Sequence, residues 1–336
     1  APDTKYQIPI SMEELQAIIK HAAKKGASDV HLVSGAAAQI RVHGKLEIMK
    51  NEVLTAAFVQ KIVMALLKQP QLKQLEDSGD VDVGLTMSGV GLRVNVHRQS
   101  LGLSLAIRII PSDIPTPETL GFHETMMQIP DLEDGFVIVS GATGSGKSTT
   151  LASIIQKMNE GEGRHIITLE DPIEYRFQQG NCLIEQRQLG ADFPSFEKGL
   201  RHVLRQDPDV IVVGEMRDPE TISLALTAAE TGHLVLSTLH APNAAEVIER
   251  IVNVFEGAAQ QQVLVQLSAT LRMVVAQKLL PKKEGGLVAA REILVTTTAI
   301  QSAIRQNNLS VIRSAIQTGK KVGMISMEQA MKEMSI

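Results

Sequence analysis

Residues 141–148 read GATGSGKS, a lysine and a hydroxyl placed among three glycines at the spacing GxxxxGK[ST]. Small residues let backbone N–H groups turn inward around phosphate oxygens; the lysine adds a positive point charge, and a following helix adds its dipole. On this pattern Gly141, Thr143, Gly144, Ser145, Gly146, Lys147, Ser148 and Thr149 cradle a nucleoside triphosphate, and the Ser148 hydroxyl is a ligand for Mg²⁺. The alternative is a glycine-rich turn that binds nothing. An apolar strand before the motif and an amphipathic helix after it favour the phosphate reading.

Carboxylates supply the second kind of chemistry. In DVIVVGEMRD, residues 209–218, Glu215 stands at the mouth of an apolar run. There it polarises an attacking water or holds the metal through water; the competing reading is a salt bridge to Arg217. Asp218-Pro219 reads as an ordinary helix N-cap and first-turn pair. The stretch TLEDPIE, residues 168–174, gathers Glu170, Asp171 and Glu174. Acids beside a triphosphate repel it unless Mg²⁺ intervenes, so this cluster either serves metal or water positioning, with Glu174 acting on the metal directly or through water, or is a solvated acidic turn. Spacing leaves both open.

Two histidines bracket a short apolar run in TGHLVLSTLH, residues 231–240. His240 follows the run and belongs on its ligand side; His233 precedes it and belongs at the far edge, facing a neighbouring domain or subunit. Neither has a third zinc-ligating residue nearby. Cations come from earlier in the chain. In LRVNVHR, residues 92–98, Arg93, Asn95 and His97 share one face, and Arg98 falls at the end; in SLAIRII, residues 104–110, Arg108 lies with Ser104 and Ala106. These arginines either reach a γ-phosphate across an interface, an effect on turnover of order 10³–10⁵, or make a polar sheet face in water.

The elements that must position these groups fall into two blocks. Ser11 and Glu14 form a capping box ahead of a helix that Gly26 ends. Alternating stretches follow at Asp29–Val33, Ala38–His43, Val81–Met87, Leu92–Arg98 and Leu103–Ile109, with a helix at Ala56–Leu67; this is an α+β pattern over residues 1–110. PSDIPTP, residues 111–117, carries three prolines and reads as a linker. Over 118–336 the pattern becomes strand, loop, helix, repeated: Phe136–Ser140, His165–Leu169, Asp209–Val213 and Leu234–Thr238. That alternation predicts an α/β fold with a parallel sheet between helices and ligands beyond the carboxyl ends of the strands. Past Pro281 a short strand and small helices are expected.

GATGSGKSTT, LEDPIE, VGEMRDPETISLALTAAETGH and STLH together resemble the secretion ATPase superfamily, the motors of type II and type IV secretion, pili and competence. The similarity runs from GASDVHL, residues 26–32, to VGMISMEQAM, residues 322–331, and within the superfamily it is closest to the PilT-like pilus-retraction branch. This resemblance implies a PAS-like N-terminal domain, a RecA-like ATPase domain and a homo-hexameric ring using ATP and Mg²⁺. It implies that Lys147 and Ser148 belong to the Walker A box, that Glu170, Asp171 and Glu174 fall in the aspartate box, that Glu215 is the Walker B glutamate, and that His233 and His240 are the histidine-box pair. Arg93 and Arg108 become arginine fingers. The expected partner is an inner-membrane pilus platform protein. One stretch departs from the branch: its signature resembles AIRNLIRE, whereas residues 299–306 read AIQSAIRQ. Gln301 replaces an arginine and Gln306 the final glutamate, which bears on the direction of pilin movement and leaves ATP hydrolysis untouched.

Bulk properties narrow the alternatives. With 44% hydrophobic and 21% charged residues the chain reads as soluble and globular. A net charge of −4 and 3% aromatic residues count against a nucleic-acid motor, the rival reading for this sheet and loop. The single cysteine, Cys182, has no disulfide partner within the chain and fits a reducing cytoplasm. No run approaches the ~18 apolar residues of a membrane span, so the expected place is the cytoplasm at the inner face of the membrane, reached through a partner.

Overall fold

The computed structural model of the chain describes residues 12–42, 44–110, 113–281 and 286–334. Ser11 of the expected capping box, His43 at a strand end, and Pro111 and Ser112 of the proline-rich stretch lie outside these. The chain divides into two compact units. One comprises Ala1–Asp113 with Glu174–Arg176; the other comprises Ile114–Ile173 with Phe177–Ile336.

The first unit contains α1 (Met12–Lys24), β1 (Ala27–Val33), β2 (Ala37–Val42), β3 (Lys45–Val53), α2 (Ala56–Leu66), α3 (Gln69–Ser78), β4 (Asp80–Met87), β5 (Val90–Gln99) and β6 (Gly102–Ile110). Its strands form an antiparallel sheet in the order β3-β2-β1-β6-β5-β4. Period-two alternation sends Val30, Leu32, Leu92, Val94, Val96, Leu105 and Ile107 to one face, where they meet Leu15, Ile19 and Ala22 of α1 and Val59, Ile62 and Val63 of α2. The other face is polar. Its central row, read from the register, is Arg41, Asp29, Arg108, Arg93. β3 and α3 were not expected. β3 is an edge strand whose Leu46 and Ile48 stay exposed while Met49 is only partly buried against the core, so its residues print no clear alternation. α3 buries only Leu75 and starts at a proline in its first turn, which reads as loop until its end at Gly79 is seen.

The second unit contains β7 (Gly135–Ser140), α4 (Lys147–Asn159), β8 (His165–Glu170), β9 (Leu183–Gln188), α5 (Phe196–Val203), β10 (Val210–Val213), α6 (Pro219–Glu230), β11 (Leu234–Leu239), α7 (Ala244–Asn253), α8 (Ala258–Thr270), β12 (Leu271–Pro281), β13 (Leu287–Val295), α9 (Thr298–Arg305), α10 (Leu309–Thr318) and α11 (Met327–Glu333). The sheet order is β13-β12-β7-β11-β10-β8-β9, parallel throughout except that β13 returns antiparallel to β12. Alternation along β7 shows the layering. Phe136 and Ile138 join the core under α5 to α10, while Val137 and Val139 join the core under α4 and α11. Helices thus cover both faces, as a buried parallel sheet requires. β11 lies between β7 and β10, so the glycine-rich loop and Glu215 grow from strands separated by a single strand. β12 was missed because its run LRMVVAQKLLP, apolar apart from Arg272, Gln277 and Lys278, shows no period-two alternation and fits a buried helix as well as a strand.

Candidate functional site

The glycine-rich loop connects β7 to α4. Gly141 has a φ of 148°, and a Cβ there would collide with the Gln277 carbonyl oxygen and lie 2.5 Å from Ser145 Oγ. Only glycine fits that approach between loop and β12. α4 starts from Gly146 in the left-handed region with no side-chain cap, so its first-turn N–H groups meet no capping side chain. Lys147, only 9% exposed, donates from Nζ to the carbonyls of Gly141 (3.0 Å) and Ala142 (2.9 Å). Thr143, Gly144, Ser148 and Thr149 complete the curve of the loop and the opening of α4.

Glu215 follows β10. Gly214 before it donates to Leu169 O at 2.8 Å, and a Cβ on Gly214 would stand 3.0 Å from that oxygen. From the other side Thr238 Oγ1 of β11 donates to Gly214 O at 2.5 Å, and Ser237 Oγ donates to Val213 O at 2.7 Å. Neighbouring strands therefore hold the backbone that aims Glu215. Its carboxylate accepts from Arg217 at 2.7 Å; the glutamate side chain is 15% exposed and the arginine 75%. The ion pair weighed in the sequence is present, with the carboxylate inward and the cation outward. Asp218 caps α6, accepting from Thr221 N and Thr221 Oγ1 at 2.7 and 2.8 Å.

The histidines part ways. His240 follows β11, and Arg250 of α7 fixes its carbonyl at 2.8 Å. Its imidazole is held below the ordinary histidine value, first by partial desolvation and then by the Lys147 ammonium; Glu215 opposes this, while Arg217 and Arg250 add to it. His240 thus lies within the field of Lys147 and Glu215 together. His233 sits at the other end of β11, where its Nδ1 meets Ala228 O at 3.0 Å and Thr231 Oγ1 at 3.2 Å at the close of α6.

At the end of β8, Glu170 Oε1 accepts from Thr168 Oγ1 at 2.6 Å and from Gln186 Nε2 at 3.1 Å, which ties it to β9. Asp171 is exposed, on a cis peptide to Pro172. Glu174 is exposed and falls with the first unit. In that unit Arg108 Nε donates to Asp29 Oδ1 at 3.2 Å, with the arginine side chain 67% exposed. Arg93 and Arg108 are register partners on the polar face. Arg98 departs from them: it pairs with Leu103 and lines a cleft with Met64, Leu72 and Leu75 on the helix side, because period two puts residues 93 and 98 on opposite faces.

Gln277 was not foreseen. It is the lone polar residue of the inner part of β12, 3% exposed, and bonds both Ser145 O and Thr150 Oγ1. A solitary amide in VVAQKLL was the available signal. Arg291, its register partner on β13, is buried with a pKa lowered to about 10 by desolvation; it donates to Leu120 O and Gly121 O and stacks over Phe122 at 4.9 Å.

The family described as Type II/IV secretion system protein matches residues 5–285. The type IV pilus retractation ATPase PilT of Pseudomonas aeruginosa is 42% identical over 320 residues, covering 95% of this chain and 93% of that protein. The twitching motility protein of Neisseria gonorrhoeae is 42% identical over 297 residues, covering 88% and 79% respectively. A crystal structure of the pilus retraction motor PilT with bound ADP superposes at a TM-score of 0.86 and 42% identity, covering 95% of this chain and 96% of that one.

Proposed function

Since the chain belongs to the Type II/IV secretion system protein family and is an ATP-hydrolysing enzyme of it, we propose that it is a homo-hexameric motor that retracts type IV pili. The observation that carries the ATPase chemistry is the convergence of Lys147, Glu215 and His240 at the carboxyl ends of β7, β10 and β11. The pilus assignment rests on similarity to the retraction proteins over nearly the whole chain.

The loop from Gly141 to Thr149 holds the phosphates through backbone N–H groups, and Lys147 neutralises their charge. The Ser148 hydroxyl is a hard oxygen donor that would hold Mg²⁺, and the carboxylates of Glu215, Glu170, Asp171 and Glu174 would serve metal or water positioning. When bound, that ion supplies charge neutralisation across the phosphate oxygens. Glu215 accepts a proton from the water that attacks the γ-phosphorus, and His240 reports on the phosphates through the field it shares with Lys147. Arg93 and Arg108 of one subunit act on the nucleotide of another, and phosphate loss releases them; His233 serves contacts between subunits. Residues 111–117 let the two units reorient, and the platform protein at the inner face of the membrane receives the motion. Among the described residues no helix is long and apolar enough to cross a membrane, which suits a partner-mediated attachment.

Deleting the gene and imaging pili tests the direction. Surplus pili that the wild-type gene reduces are the expected result, and bald cells would overturn retraction in favour of assembly.

A further inference from the structure

We propose that Gln277 is a positioning residue for the phosphate loop, setting the Ser145–Gly146 peptide so that its N–H faces the nucleotide. The inference deepens the ATPase reading and rests on it.

β12 runs parallel beside β7, and their last paired residues are Ala276 and Ser140. Gln277 therefore lies one residue beyond the pairing, beside the start of the loop. Its amide is used at both ends. Nε2 donates to Ser145 O at 2.6 Å, and Oε1 accepts from Thr150 Oγ1 at 2.8 Å. Thr150, in the first turn of α4, is 1% exposed. One buried amide thus joins the crest of the loop to the helix that follows it.

The partners fix which way the amide points. The Ser145 carbonyl only accepts, so it requires the NH₂ end; the threonine hydroxyl then donates to the oxygen. A glutamate has no donor for the carbonyl, a lysine has no acceptor for the hydroxyl, and a leucine has neither. Peptide planarity carries the effect across the bond. In a trans peptide the C=O of Ser145 and the N–H of Gly146 point in opposite directions. Drawing that carbonyl toward β12 turns the Gly146 N–H away from β12, into the concave side of the loop. The fit is close: a Cβ on Gly146 would stand 3.3 Å from Gln277 Nε2.

A residue that shapes the loop before chemistry acts on ADP and ATP alike. It should therefore change binding more than turnover. The test uses the full-length protein with a fluorescent ADP analogue, steady-state ATP hydrolysis and thermal unfolding. Gln277→Glu and Gln277→Leu should each weaken ADP binding about tenfold and raise KM by a similar factor, with kcat changed less than about threefold. Thr150→Val should weaken binding to a lesser degree, and Thr150→Ser should restore it, because the hydroxyl that steadies the amide returns. A merely structural role predicts a lowered unfolding temperature with Kd and KM unchanged in the folded fraction; that outcome overturns the proposal. If the Gln277 variants fail to fold, the Thr150 pair decides, and equal affinities of Thr150→Val and wild type overturn it. Wild-type protein that binds no ADP would sink the ATPase reading instead, a separate result.

Discussion

Glu215 and His240 hold the most informative chemistry of single residues. The Glu215 carboxylate faces inward, Arg217 covers it outside, and two strands fix the backbone that carries it. Removing its charge while keeping its shape should separate binding from chemistry. Glu215→Gln is expected to bind nucleotide within a small factor of wild type and to lose about 10²-fold or more in turnover, the usual weight of a positioned base. Unaltered phosphate release would take Glu215 out of the mechanism. For His240 the prediction concerns pH. Partial desolvation and Lys147 disfavour the imidazolium, so in a ¹³C-histidine NMR titration its midpoint should fall below 6.5. Lys147→Met should move that midpoint up; no movement would show that the two groups do not share a field. The sign for stability follows. Below pH 6.5 the unfolded chain takes up this proton more readily than the folded one, so the contribution of His240 is fully present above 6.5 and fades as pH falls through the folded value.

Elements decide whether such residues meet. The loop between β7 and α4 works because β12 presses against it, and Gly141 is where they come closest. Gly141→Ala should lower stability by about 1–3 kcal/mol through overpacking and weaken ADP binding at least tenfold, read by thermal unfolding and fluorescence titration. An alanine accepted without loss would mean that the loop moves freely against β12. At this scale the sequence was legible in part. Leu151, Ile154, Ile155 and Met158 marked the buried side of α4, and the apolar runs marked β7, β8, β10 and β11. β12 escaped because a strand buried on both faces shows no period. β3 escaped for the opposite reason, since an edge strand with Leu46 and Ile48 exposed and Met49 only partly buried prints little alternation.

For the whole molecule the proposal is that subunits cooperate at each nucleotide. The cross-strand row Arg41, Asp29, Arg108, Arg93 supplies the cations, with Asp29 steadying Arg108. Arg108→Ala should reduce turnover by about 10³-fold or more if this arginine neutralises the transferring phosphate. Mixing Arg108→Ala with Lys147→Ala subunits should restore part of the activity, because one brings an intact loop and the other an intact arginine. Mixed rings as inactive as either parent would show that the arginine does not act between subunits.

Patterns along the chain point to phosphate chemistry for the loop, to a change of organisation near residue 111 and to the alternation of polar and apolar residues in the strands. These are local properties: a spacing, a periodicity, a proline. Only in the folded sheet does β11 come to separate the loop strand from the Glu215 strand, and an amide far along the chain come to hold the crest of the loop. Strand order and register bring together residues more than a hundred positions apart. No local pattern encodes such neighbours, because the burial that selects them belongs to the assembled sheet.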